Sequence, residues 1–296
     1  MGLNFINTGW KSGIKYCSLL LCFALMNNSM LAQKSKVDSL YQLLSREKTD
    51  TSRVILMCDI GYESRVYDPE KALFISNEAL SLSKKIKYID GQSKSLGTMA
   101  IIFRLIGNFP LALEYNLKRL KLVENAKNPS KLAGVLTNIG FVYVNLEEFP
   151  KALEYYYKAD SVTEQLNLSD VKFTIALNIG DVYDKLNMND SAFSYFTRSL
   201  NIARQIKNNY FEGMSMIGLG NNYLKTQQDL LALANYKSGI VYLKEAEDDD
   251  LLCEAYLGLA TLFKHLKQQD SSLYYARQSF AIAEKDDIPF LISSSK

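Results

Sequence analysis

The side chains able to do chemistry in this chain are few, and their spacing assembles no reaction. Its one histidine, His265, falls near the end of a predicted helix. A single imidazole rules out a histidine-rich metal site and leaves little for a triad, which needs a base beside its nucleophile. His265 therefore reads as an ordinary surface histidine, with a groove-facing orientation as the alternative. There is no phosphate-cradling loop, no Gly-x-Gly-x-x-Gly and no Cys-x-x-Cys. Carboxylates are plentiful, but none pair in a way that sets them apart from helix-surface charge. The run of Tyr155, Tyr156 and Tyr157 reads as packing. No catalytic residue, metal ligand or cofactor site is expected. What remains is hydrogen-bonding chemistry: Asn138 and Asn178 stand in the matching strings Thr-Asn-Ile-Gly and Leu-Asn-Ile-Gly. A side-chain amide donates and accepts together, so it can hold another backbone or a neighbouring helix.

Those asparagines must be positioned by helices. Hydrophobic residues make up 48% of the chain and charged residues 22%, too apolar for disorder. Only five prolines occur against 19 tyrosines, which suits long helices with short connections. The formal charge of +2 shrinks if the first segment is removed: without Lys11 and Lys15, 32 basic residues face 32 acidic ones. A mature charge near zero speaks against nucleic acid, which needs a basic face. The lysines at 84, 85 and 87 and the acidic run from Glu247 to Asp250 read as solvated charge at helix ends.

The first 32 residues read as an address. Lys11 and Lys15 precede an apolar run from Tyr16 to Met26, and Ala32 offers a small residue before a cut. That order describes a secretory signal peptide. The run is shorter than the roughly 20 residues that span a bilayer. An uncleaved membrane anchor is the alternative, so membrane contact is expected only through an uncleaved signal or a downstream segment outside this sequence. The mature chain is expected outside the cytoplasm, in the periplasm or beyond, with Cys58 and Cys253 as its remaining thiols.

The organising signal is repetition at forty residues. Ala100 and Phe103, Gly140 and Tyr143, Gly180 and Tyr183, Gly220 and Tyr223, and Ala260 and Phe263 share one frame. Twelve residues after each first position, and likewise after Ile60, comes Ala72, Ala112, Ala152, Ala192, Ala232 or Ser272. A small residue lets one helix approach its neighbour, and an aromatic three later lies on the same face. Pro110 and Pro150 open the second helix of their units, where a missing N–H costs nothing. Polar turns at Asn128, Ser169, Asn208 and Asp248 separate the units. Cys58 and Cys253 lie five repeats apart, too far for a disulfide in such an array, and read as small buried apolar residues.

These positions resemble the tetratricopeptide repeat: a small residue, an aromatic three later, then an alanine heading the second helix. The resemblance covers about residues 51 to 296. Its usual unit has about 34 residues, so the longer period implies longer helices. The family's first-helix tryptophan is absent, and its late proline is displaced. The resemblance implies an all-α, right-handed α-solenoid. Residues 33–50 are expected to form a capping helix, 51–289 six repeats, and 290–296 the start of a truncated seventh.

In this family the first helices line a concave surface that receives peptides. Carried onto matching positions, the groove residues are Asn138, Phe141, Asn145, Asn178, Asp181, Lys185, Asn221 and Lys225. The asparagines resemble a ladder that related arrays use on a peptide backbone, here with two rungs, because Thr98, Gly218 and Gly258 occupy the equivalent places. The expected partner is a protein or peptide. Two roles fit: an exported interaction scaffold, or the sensory region of a longer histidine kinase or helix-turn-helix regulator, which the resemblance also suggests.

Overall fold

The computed structural model describes residues 34–124, 128–164, 166 and 168–285. Every regular element among them is a helix. Residues 34–46 form α1. Six helix pairs follow: α2 (Asp50–Ser64) with α3 (Pro69–Lys85), α4 (Ile89–Leu105) with α5 (Phe109–Val123), α6 (Pro129–Asn145) with α7 (Phe149–Thr163), α8 (Ser169–Lys185) with α9 (Asn189–Gln205), α10 (Asn209–Lys225) with α11 (Asp229–Ala246), and α12 (Asp249–His265) with α13 (Gln269–Lys285). The chain is an all-α solenoid of repeated helix pairs. No described helix is long and apolar enough to cross a membrane. The apolar run at 16–26 and the expected seventh repeat at 290–296 lie outside the described residues.

The turns repeat as faithfully as the helices. Between the two helices of a pair, Gly107, Glu147, Asn187, Gln227 and Lys267 all take a left-handed conformation. The N–H of the following residue reaches back five positions, as from Gln228 to the Tyr223 carbonyl at 2.8 Å and from Met188 to Tyr183 at 2.9 Å. These are Schellman ends, which satisfy the last carbonyls of a helix as the chain reverses. Between pairs, Lys87, Lys207 and Glu247 do the same. The helix that follows is capped by a side chain where sequence allows: Asn108, Asn128, Asn208 and Asp248 each accept from the N–H three residues on.

Two compact units divide the chain at Asn125 and Ala126. In the first, Val37 of α1 is buried with Val54, Met57, Cys58, Ile60, Ile75 and Ala79, and Leu40, Tyr41 and Leu44 pack on the same cluster. A second cluster joins Leu80, Leu96 and Met99.

The second unit holds four pairs, and aromatic wedges organise it. Phe196 of α9 lies against both Gly180 of α8 and Gly218 of α10: a Cβ at either glycine would stand 2.7 Å from its ring. Tyr236 of α11 lies in the same way between Gly220 and Gly258. Tyr156 of α7 faces Gly140 of α6. All three rings are fully buried. The small position therefore exists to admit a ring from the partner helix. The aromatic three residues later stacks on that helix one position earlier, as Tyr143 does on Tyr155 at 5.5 Å, Tyr183 on Tyr195 at 5.7 Å and Phe263 on Tyr275 at 5.4 Å.

Candidate functional site

With the wedges holding first helices side by side, the faces of α6, α8, α10 and α12 are left free of their partner helices. Positions three and four apart share a helix face, so Asn178, Asp181, Asp184 and Lys185 present along one side of α8. They line a cleft of about 350 Å³ with Phe141, Val144 and Asn145 of α6, Asn221 of α10 and Glu254 of α12. The rings of Tyr156 and Phe196 form its inner wall. A second hollow of about 290 Å³ shares Asp184, Asn221 and Glu254 and continues past Lys225 to Leu257 and Thr261.

Of the eight groove residues expected from sequence, Phe141, Asn145, Asn178, Asp181, Lys185 and Asn221 line the first cleft, and Asn221 and Lys225 the second. Asn138 is exposed one turn before Phe141 and is not among the lining residues of either. The two rungs of the asparagine ladder thus differ in setting. Neither has a side-chain hydrogen-bond partner among the described residues, so neither holds a neighbouring helix.

Other groove residues are claimed by the protein. Asn221 accepts from the Tyr236 hydroxyl at 2.7 Å and donates to Glu254 Oε1 at 2.7 Å, a chain running from α11 through α10 to α12. Lys225 Nζ donates to Asp184 Oδ2 at 2.7 Å and to its carbonyl at 2.9 Å, joining α10 to α8. Asn145 Nδ2 donates to the Phe141 carbonyl of its own helix at 2.9 Å. Among the described residues, Asp181 keeps no hydrogen bond or ion pair.

The electrostatics of the cleft turn on that carboxyl. Asp181 is exposed at the cleft mouth, among the other lining side chains of α6, α8, α10 and α12. Desolvation, then repulsion from Glu254 and from Asp184, push Asp181 up to about 7, against the opposing pull of Lys185. Burial, with the charge of Asp181 added, raises the Tyr156 phenol, and burial raises Tyr236, with Glu254 next. Both phenols stay neutral at any ordinary pH.

Beyond the eight expected residues, Val144, Asp184 and the two wedge rings also line the first cleft, and so does Glu254. It stands six residues before Ala260, one turn ahead of the stripe that was followed. Extending that stripe one turn toward each first-helix N-terminus would have found it. The wedge positions 156, 196 and 236 carried their own signal, an aromatic every forty residues.

Of the cleft helices, α6 and α8 fall where a family profile described as the tetratricopeptide repeat matches the sequence, at residues 131–205, and α10 and α12 lie beyond it. The helix pairs within those residues match the tetratricopeptide repeat, and the whole array shares its all-α repeat fold with solved tetratricopeptide structures. Among solved structures, a tetratricopeptide chain from Pyrococcus horikoshii shares the fold. It is a signal-transduction ATPase with numerous domains, bearing a tetratricopeptide-repeat sensor, with TM-score 0.72 and 15% identity over 90% of this chain and 42% of that one. The apo form of RapI matches with TM-score 0.70 and 18% identity, over 90% of this chain and 95% of its own. A Rap protein complexed with Competence and Sporulation Factor matches with TM-score 0.66 and 14% identity, over 91% of this chain and 74% of its own. At such identities the likeness carries the fold alone. No curated protein sequence matches the chain.

Proposed function

We propose that this tetratricopeptide array is an interaction scaffold that holds an extended segment of a protein or peptide partner in the cleft of α6, α8, α10 and α12. One observation carries the reading: the cleft presents polar side chains that the fold leaves unused, Asn178 and Asp181, beside apolar walls from Phe141, Val144 and Phe196. Binding sites combine apolar surface with a few placed polar groups in this way. The helices themselves need neither side chain, since neither makes a hydrogen bond to another helix among the described residues. A Rap protein of like fold occurs in complex with a factor, which agrees with the reading without identifying the partner here.

Asn138→Ala combined with Asn178→Ala tests it. A partner recovered by pull-down from the source cells should be held about tenfold less well, the scale of one or two lost hydrogen bonds. The melting temperature should stay within about 2 °C. A large loss of stability with unchanged capture would overturn the reading.

The proposal includes export, supported by Lys11 and Lys15 ahead of the apolar run at 16–26. N-terminal sequencing of the secreted or periplasmic protein should begin at Gln33; an intact Met1 in the cytoplasm would refute it. A second reading makes the array the sensory part of a longer signalling protein. Its support is the likeness to an array that serves as a sensor in a multidomain ATPase. Fusing the array to a reporter kinase and finding no response to any bound peptide would count against that reading alone.

A further inference from the structure

Three phenols converge where α7, α8 and α9 meet. The Tyr157 hydroxyl lies 2.5 Å from the Tyr183 hydroxyl, and the Tyr195 hydroxyl is its other hydrogen-bond neighbour. The Tyr157 and Tyr195 rings are 6.5 Å apart, and the Tyr183 and Tyr195 rings stack at 5.7 Å. Repeat packing accounts for only part of this. Positions 183 and 195 carry rings in other pairs, but Phe103 and Phe263 fill the first of them without a hydroxyl. Leu117, Thr197 and Lys237 stand at the positions equivalent to 157, so the ring of Tyr157 follows no repeat signal. Tyr157 is also 40% exposed, which puts the cluster within reach of a solute. Packing of the pairs requires neither this third ring nor the three oxygens. Among the described residues no three acidic, histidine or cysteine side chains gather closely enough to hold a metal ion. The phenols are a different donor set.

Oxygens at hydrogen-bond distance already have nearly the spacing of a coordination edge, since two ligands about 2.0 Å from an octahedral ion stand about 2.8 Å apart. Phenolate is a hard, anionic oxygen donor, and tyrosine is an established ligand of haem iron. Coordination must displace the phenol protons, which demands a highly charged ion; even a bound divalent ion acidifies its water by many powers of ten. We propose that Tyr157, Tyr183 and Tyr195 form a binding site for one ferric ion, held by three phenolate oxygens at the surface of the second unit. Each oxygen exchanges its proton for the iron, so three protons leave for each ion bound. The three phenolates balance the charge of the ion, which stays ferric throughout. Asp160, one turn from Tyr157, stays with Arg198, whose two terminal nitrogens each lie 2.7 Å from its carboxylate. Water therefore completes the coordination. The ion joins three helices, and an ion that binds only the folded state stabilises it.

Ferric nitrilotriacetate added to the full chain at about pH 7.5 tests this. One equivalent per chain should produce a visible phenolate-to-iron charge-transfer band. The loaded protein should melt about 5 °C higher once free iron exceeds the dissociation constant about a hundredfold. Tyr157→Phe, Tyr183→Phe and Tyr195→Phe keep the rings and should each weaken binding at least about tenfold. An unchanged melting temperature of each iron-free variant shows that it is folded. Tyr143→Phe, in the stacked pair with Tyr155, should leave the band as it is. Zinc or magnesium should not raise the melting temperature, and an equal rise with either would overturn the assignment to a ferric ion. No charge-transfer band, or a band that survives in the triple phenylalanine variant, would overturn the site. Colour lost to an equimolar amount of citrate would do the same, marking an adventitious ion only. The peptide cleft contains none of the three tyrosines, so its reading stands or falls separately.

Discussion

Gly140 of α6 lies so close to Tyr156 of α7 that a Cβ on the glycine would stand 2.6 Å from ring carbon Cε1. The ring is fully buried and cannot swing away. Gly134, six residues earlier in the same helix, has nothing within 4 Å of a Cβ at its position. One helix therefore holds a glycine kept for contact and another kept for nothing that packing explains. Gly140→Ala should lower stability by about 1–3 kcal/mol through overpacking, despite the better helix propensity of alanine. Gly134→Ala should raise it by about 0.5–1 kcal/mol. Urea unfolding followed by circular dichroism separates the two; an equal effect of both changes would refute the wedge.

The left-handed turn residues make a second contrast. Gly107 has φ 75° and no neighbour within 4 Å of a Cβ, so any cost of a side chain there is conformational alone. Gln227 adopts φ 59° at the corresponding turn with a side chain already present. A non-glycine residue in this region costs about 1–2 kcal/mol. Gln227→Gly should therefore stabilise the second unit by up to about 1 kcal/mol, and Gly107→Ala should destabilise the first by a similar amount. Thermal melts of the two variants moving in the same direction would contradict this.

These turns also mark what the sequence could and could not reveal. The frame of small and aromatic residues, Gly140 with Tyr143 and Gly180 with Tyr183, was legible because backbone approach admits few residue types. Pro110 and Pro150 were legible as second-helix openers for a similar reason, and they stand second in α5 and α7. The recurring left-handed caps were not, because Glu147, Asn187, Gln227 and Lys267 carry no glycine signature. Periodicity places a side chain on a face. It does not say which neighbour will claim the polar end. Asn221 and Asn178 lie on corresponding faces, yet Tyr236 and Glu254 occupy the first and leave the second unused.

The two described thiols give a third expectation. Cys58 and Cys253 are free and fully buried. Cys58 Sγ lies 3.3 Å from Ser95 Oγ, and Cys253 Sγ lies 3.0 Å from Ser279 Oγ. Burial raises both thiols, and the serine contacts only partly oppose it. Thiolate is the reactive form. With Cys17 and Cys22 replaced by serine, an aromatic disulfide reagent at about pH 7.5 should label neither remaining thiol in the folded protein and both in denaturant. Prompt labelling of either thiol in the native protein would show that its helix pair opens.

The raised carboxyl of Asp181 predicts how stability should follow pH. Its folded value is about 7 against an ordinary 3.8, with desolvation the largest cause and Glu254 the next. Between those values the folded protein binds more protons than the unfolded chain, so stability falls as pH rises through that window. Below about pH 4 the carboxyl is neutral in both states and contributes nothing of this kind. Above about pH 7 it is ionised in both, and the folded state carries the full cost of a charge held beside Glu254 and Asp184. Asp181→Asn should therefore raise the melting temperature at pH 8, do so less at pH 6, and leave it unchanged near pH 4. Solvent at the cleft mouth screens the charge, so the gain is smaller than the full displacement implies. A stabilisation that is the same at every pH would show that the asparagine acts through packing and that Asp181 titrates as an ordinary carboxyl.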